Sequence, residues 1–186
     1  FEISKNFNNN LSLISNGYHK NYDTNIYEKV LINNLKYTSV PKINPNGLVN
    51  KFNLFFKNVT TEGDNSGEYS SDFRSQNFGS ILYDISYPLK KEGIKYNNFL
   101  SGKASFMYSP NKNKNIKNLD RKINTKNIFN QNRLGLNDSV EGGQSLTFGG
   151  EYKITDKQNR SFLTAGLASV LRDKNEEKLP TSSTIN

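Results

Sequence analysis

The chain has 186 residues and no cysteine, which excludes disulfides, thiolate metal sites and a cysteine nucleophile. Only 33% of its residues are hydrophobic and its formal net charge is +8, so its surface suits polyanionic partners such as nucleic acid or anionic lipid. No run of about 18 apolar residues is present, which excludes a transmembrane helix. His19 is the single histidine, which excludes a multi-histidine metal site and argues against a Ser-His-Asp triad.

Strands are the predicted elements throughout, because apolar and polar residues alternate and successive strand side chains point to opposite faces. The first three strands have weaker patterns, and the second and third cover about residues 29–39 and 48–60. They are marked by Leu11 and Leu13, by Leu31, Leu35 and Tyr37, and by Phe52, Leu54 and Phe56. No apolar stripe at helical spacing extends beyond two turns.

Four later strands have clearer patterns. They cover about residues 80–89, 100–109, 144–154 and 161–172. The first of them is the most regular, with Ile81, Tyr83, Ile85, Tyr87 and Leu89 on one face. Seven strands are therefore predicted, and several are about ten residues long, near the roughly 9–11 residues that a strand needs to cross a bilayer.

The predicted connections alternate between long and short. The long ones cover residues 16–28, 61–78, 110–142 and 173 onward, and the short ones cover 40–47, 90–98 and 156–160. Long loops at one rim and short turns at the other are typical of outer-membrane barrels. We therefore expect an all-β fold, a partial transmembrane antiparallel β-barrel formed as a curved meander of about seven strands. A soluble antiparallel sheet packed on a core would give the same alternation.

Four charged side chains fall opposite the apolar face of these strands. They are Asp84, Lys103, Glu151 and Lys153. A lysine facing lipid near the midplane costs about 2–4 kcal/mol, whereas the lumen of a barrel is wet. The alternation therefore predicts that all four face the lumen.

One segment carries a more specific signature. "NIFNQNRLGLNDSVEGGQSLTFGG" (residues 127–150) places Asn132 and Arg133 before Asp138, then Glu141, Gly142 and Gly143, and then a strand. Together with "FLSGKASFMYSP" before it and "LPTSST" after it, this segment resembles the LPS-assembly outer-membrane protein family, LptD. The resemblance covers about residues 79–186.

The segment departs from the family pattern at three positions. Leu134 stands where the family has an aromatic residue, the glycine is displaced to Gly135, and Ser139 replaces an arginine. Any role that rests on an Asp-Arg pair at that site does not carry over.

The resemblance implies a function and a location. Members of the LptD family form a large barrel in the Gram-negative outer membrane, with a periplasmic jellyroll domain before it and an LptE-type lipoprotein plugging the lumen. They receive lipopolysaccharide (LPS) from periplasmic bridge proteins and insert it into the outer leaflet through a lateral opening. We accordingly expect residues 1–186 to be an internal fragment of one such barrel domain, neither an enzyme nor a cofactor-binding protein.

Two sets of residues are candidates for a site. The motif loop is either structural or close to LPS, with Gly142 and Gly143 permitting a sharp entry into the next strand and Arg133 pairing with Asp138 or Glu141. The long connection that contains it has an excess of four positive charges, which suits the phosphates of LPS. Its candidate phosphate contacts are Lys112, Lys114, Lys117, Arg121, Lys122 and Lys126.

Two other functions fit the same patterns. The first is a different outer-membrane barrel, such as a porin, a TonB-dependent receptor or an assembly barrel. The second is a soluble β-rich module that binds glycans or nucleic acid.

Overall fold

A computed structural model describes residues 1–7, 10–119, 121, 123–174 and 176–179. Within these residues the regular structure is entirely β. The strands are β1 (Glu2–Asn6), β2 (Leu11–Asn21), β3 (Tyr27–Thr38), β4 (Lys42–Ile43), β5 (Val49–Asp64), β6 (Arg74–Glu92), β7 (Tyr96–Ser109), β8 (Gly143–Asp156) and β9 (Ser161–Arg172). In this described part of the chain, no helix has the length and apolarity that crossing a membrane requires.

The strands form one antiparallel meander. Their order in the sheet is β1-β2-β3-β5-β6-β7-β8-β9, with the short β4 pairing only with β5. The all-β, antiparallel prediction is confirmed, and each of the seven predicted strands is present. The sheet is not closed, since β1 and β9 lie at its two edges. The predicted number of strands was too low, because β1 and β4 were missed.

Two predicted long connections are much shorter than expected. β2 and β3 continue to a connection at residues 22–26, and β5 and β6 continue to one at residues 65–73. Sheet hydrogen bonds join backbone groups, so polar Asn, Ser and Thr residues extend the strands without any apolar alternation. Asn25 and Asn65 have positive φ angles of 61° and 51°, which asparagine tolerates better than most residues, and they shape these two turns.

The polarity of the sheet is reversed relative to that of a soluble protein. Along β5 to β9, large apolar side chains project from one face, the apolar face, and remain substantially exposed. They include Phe52, Leu54, Ile81, Tyr83, Phe106, Tyr108, Leu146, Phe148 and Leu171. The opposite face, here the loop face, carries polar side chains that are buried. They include Asn53, Lys57, Ser80, Ser105, Ser145 and Thr147.

The sheet is taller on one side than on the other. β7 pairs with β6 only as far as Ile81, whereas the β5–β6 pairing continues to Arg74. The ends of β2, β3, β5 and β6 beyond the level of Leu13, Leu35 and Phe56 therefore stand above the rest of the sheet and are called the raised wall.

Polarity on the raised wall follows the usual soluble pattern. Its loop face buries Val30, Ile32 and Val59, and Tyr69 and Phe78 pack against them. Burial raises the pKa of the Tyr69 phenol, as expected in such an apolar cluster.

Candidate functional site

The connection between β7 and β8, residues 110–142, packs on the loop face of the sheet. The Nε2 amide of Gln131 donates hydrogen bonds to the carbonyl and the hydroxyl of Ser80 on β6, at 3.0 and 2.9 Å. The Nζ atom of Lys103 on β7 lies 5.9 Å from the centre of the Phe129 ring. Ile116, Leu134 and Leu136 of the connection form a small core together with Leu179, which lies after β9. It is therefore a packed layer against the sheet.

An ion triplet fixes the last part of this connection. The Arg133 guanidinium donates to both carboxylate oxygens of Glu141, at 2.8 and 2.5 Å, and both side chains are only 2% exposed. Arg172, at the end of β9, brings a second guanidinium within 3.0 Å of the same carboxylate. Arg133 also donates to the hydroxyls of Ser145 and Thr147 on β8, at 2.9 and 3.1 Å. With both guanidinium groups bound to it, the Glu141 carboxylate holds this part of the connection against β8 and β9.

A buried lysine holds the middle of the motif loop. Lys57 on β5 is 3% exposed, and its Nζ donates to the backbone carbonyls of Leu136, Asn137 and Ser139 at 3.1, 2.6 and 3.2 Å. An ammonium group has three donors, so these carbonyls match its capacity. The contact joins residues about 80 positions apart in the chain and seats the loop on β5.

The glycine pair at the start of β8 has a steric basis. A Cβ atom on Gly142 would overlap the carbonyl oxygen of Asn111, and the Gly142 N–H donates to the Asn113 side chain at 2.7 Å. Gly143 has a φ angle of +91°, which side chains disfavour. The two glycines thus allow the end of the connection to pack directly against its beginning, at Asn111 and Asn113, where the chain enters β8.

We expect Gly142→Ala to displace the connection, because its added methyl group would overlap backbone atoms of Asn111. Limited proteolysis of the folded protein will show faster cleavage within residues 110–142. Gly102→Ala is the matched control, since a Cβ atom there would meet nothing within 4 Å. Equal cleavage of both variants would contradict the steric account.

The remaining motif residues have local roles. Asn132 closes a turn, accepting from the Leu136 N–H at 2.8 Å and donating to the Leu136 carbonyl at 2.9 Å. Asp138 forms an ion pair with Lys114 at 2.5 Å. Of the two partners predicted for Arg133, the structure thus selects Glu141, and Asp138 has a different one.

The predicted phosphate contacts lie on the surface of the connection. Lys112, Lys114, Lys117, Arg121 and Lys126 are exposed, and Lys122 falls outside the described residues. Lys114 is engaged by Asp138, so its charge is partly balanced within the loop. A role of these cations with phosphate stays a prediction.

The four charges predicted to face the lumen share the loop face. Asp84 accepts from Asn53 at 3.0 Å and from Ser105 at 2.6 Å, and its carboxylate lies 3.8 Å from the Lys51 ammonium. Lys103 on β7 and Glu151 and Lys153 on β8 occupy strand positions that lie on the same face, as the pairing of β7 with β8 shows. Polar side chains thus form much of the surface opposite the apolar face, with the buried Leu82 and Met107 among them.

Sequence reasoning missed Lys57, Gln131 and Arg172. Each acts on a segment distant in sequence, and local alternation does not report such contacts. The available signal was modest. Lys57 and Arg172 each lie opposite the apolar face of their strand. The alternation therefore predicts which face each cation is on, but it does not predict which residue the cation contacts.

Comparison with known proteins gives the family. A search of curated proteins finds no match. The sequence model of the family described as "LptD: LPS transport system D" matches residues 55–185, beginning earlier than the motif resemblance near Gly79. This match covers most of the chain, which supports a role in LPS transport at the level of the family. The chain belongs to the LptD family of LPS transport system D.

Proposed function

We propose that this chain forms part of the wall of an outer-membrane β-barrel that inserts LPS into the outer leaflet. The observation that carries the proposal is the reversed polarity of the sheet, with large apolar side chains exposed on one face and polar side chains buried on the other. Water favours the opposite arrangement, whereas a barrel wall needs lipid on its apolar face and a wet lumen on its polar face.

The length of the apolar belt supports a membrane crossing. On β6 it runs from Ile81 to Leu89, and on β7 from Leu100 to Tyr108. Each range has nine residues, at the lower end of the roughly 9–11 that a tilted strand needs to span the hydrocarbon. Tyr87, Tyr108 and Tyr152 lie toward the ends of their strands, where aromatic girdles meet the interface.

The packed connection then lines the inside of the wall. In this proposal the connection narrows the lumen and an LptE-type lipoprotein plugs the remaining space. The complete barrel receives LPS from periplasmic bridge proteins. The barrel moves its cargo without changing it chemically, so we propose neither an enzymatic reaction nor a cofactor. The family match favours LPS over the cargo of a porin or a TonB-dependent receptor.

Depletion of the full-length protein in its native cell tests this function. We expect labelled LPS to disappear from the cell surface and to accumulate in the inner membrane. Expression of the wild-type gene from a second locus is the control and should restore the surface label. Normal surface LPS after depletion would exclude the proposed cargo.

A further inference from the structure

A polar row crosses the outward side of the raised wall. Ser15, Asn33, Asn58 and Asn77 lie opposite one another on β2, β3, β5 and β6, on the same side as the apolar face. The Ser15 hydroxyl donates to the Asn33 carboxamide at 2.6 Å, Asn33 donates to Asn58 at 3.4 Å, and Asn58 donates to Asn77 at 2.9 Å. These four side chains form one continuous amide row.

The amide row marks a change in the environment of the sheet. Directly below it, Leu35 and Phe56 are 38% and 46% exposed on the apolar face. Above it, the buried apolar residues Val30 and Val59 lie on the loop face instead. A sheet in water hides its apolar side and a sheet in lipid exposes it, so the reversal places the edge of the hydrocarbon at the amide row.

We propose that the amide row binds the phosphorylated saccharide headgroup of LPS on the outside of the wall. The inference rests on the proposed function, since it needs the apolar face to meet the outer leaflet. A bound LPS molecule would place its acyl chains along Leu35 and Phe56 and its sugars against the amides one step higher. The assignment identifies a lipid-facing contact, separate from the packed connection on the loop face.

The chemistry of the row fits a glycolipid better than a phospholipid. Each carboxamide offers both donors and acceptors, as sugar hydroxyls do. Lys5 on β1 is exposed and lies on the same side of the sheet as the row. It pairs with Leu13, one step below the row. A lysine at the hydrocarbon edge extends its ammonium to the level of the headgroups, where a phosphate is its natural partner.

The test compares two double variants of the full-length protein, purified in detergent with rough LPS (lipid A with inner core) or with phosphatidylglycerol. N33A/N58A removes the centre of the amide row. N50A/N98A is the matched control, because both asparagines lie on the apolar face at the opposite rim, where each accepts a bond from a tyrosine hydroxyl, at 2.9 and 2.7 Å. Native mass spectrometry counts the lipid molecules retained per protein.

We expect N33A/N58A to retain about threefold less LPS than the wild type, with phosphatidylglycerol unchanged. N50A/N98A should retain wild-type LPS, and N33Q/N58Q should recover part of the loss. Should N33A/N58A fail to fold, S15A/N77A at the two ends of the row carries the same expectation at about twofold. Wild-type LPS retention, or an equal loss of phosphatidylglycerol, would overturn the assignment. Depletion results separate the two proposals: if surface LPS disappears but N33A/N58A retains LPS normally, this inference alone fails.

Discussion

Replacing Glu141 with alanine is expected to prevent stable assembly of the protein. Arg133 and Glu141 are each 2% exposed, and both carboxylate oxygens hold a guanidinium. Without the carboxylate, Arg133 would remain buried with no anion, a change that costs about 3–5 kcal/mol. That loss is a large fraction of the roughly 5–15 kcal/mol by which folded domains are stable.

The temperature at which the folded band disappears on a heat-modifiability gel measures this effect. Asp138→Ala is the control, because it removes an acid from the same loop whose lysine partner is 47% exposed, and such pairs contribute about 1 kcal/mol or less. The double variant R133M/E141L should recover much of the lost stability. It replaces the fully buried ion pair by an apolar pair of similar volume, and the one cation that loses its partner, Arg172, is 24% exposed and therefore reaches water. Similar melting of the Glu141 and Asp138 variants would show that the ion triplet is not a major source of stability.

The second large effect is expected from Ala104→Lys. Ala104 lies on the apolar face between Ile85 and Phe148, near the middle of the belt. If that face meets lipid, a lysine there costs about 2–4 kcal/mol and should sharply lower the amount of protein assembled in the outer membrane. If that face met water instead, the lysine would extend its ammonium into solvent from this half-buried position, and we expect a change in stability of roughly 0.5 kcal/mol or less.

Lys103→Leu provides the matched control one residue away. Lys103 lies on the loop face beside the Phe129 ring, so its loss removes a cation–π contact of about 0.5–1 kcal/mol. Membrane fractionation and immunoblotting of both variants in the full-length protein will measure assembly. A strong defect in Lys103→Leu with normal assembly of Ala104→Lys would reverse the assignment of the two faces.

The sequence predicted the sheet where apolar residues alternate and failed where they do not. The strands from Ile81 onward were placed within a few residues, because one face must be apolar along their length. The outer ends of four strands were predicted as loops because they are polar and lack that alternation. They are residues 16–21 of β2, 27–28 of β3, 61–64 of β5 and 74–78 of β6. β1 and β4 escaped detection because five-residue and two-residue strands carry almost no pattern.

The candidate site was predictable only in its local part. Arg133 and Glu141 are eight residues apart, so their pairing was accessible from the motif itself. The contributions of Lys57 and Arg172 depend on the order of strands in the sheet, which brings β5 and β9 to the same connection. No local pattern contains that information.

The packed connection has a consequence for how the wall is put together. It contacts Lys57 on β5, Ser80 on β6, Thr147 on β8 and Arg172 on β9. Its packing therefore depends on the alignment of four strands. Sliding any of these strands by one residue would turn its contact to the opposite side of the sheet. Residues 110–142 can therefore pack stably only when all four strands are in the correct register. Packing of this segment thus depends on, and stabilises, the correct strand alignment during biogenesis.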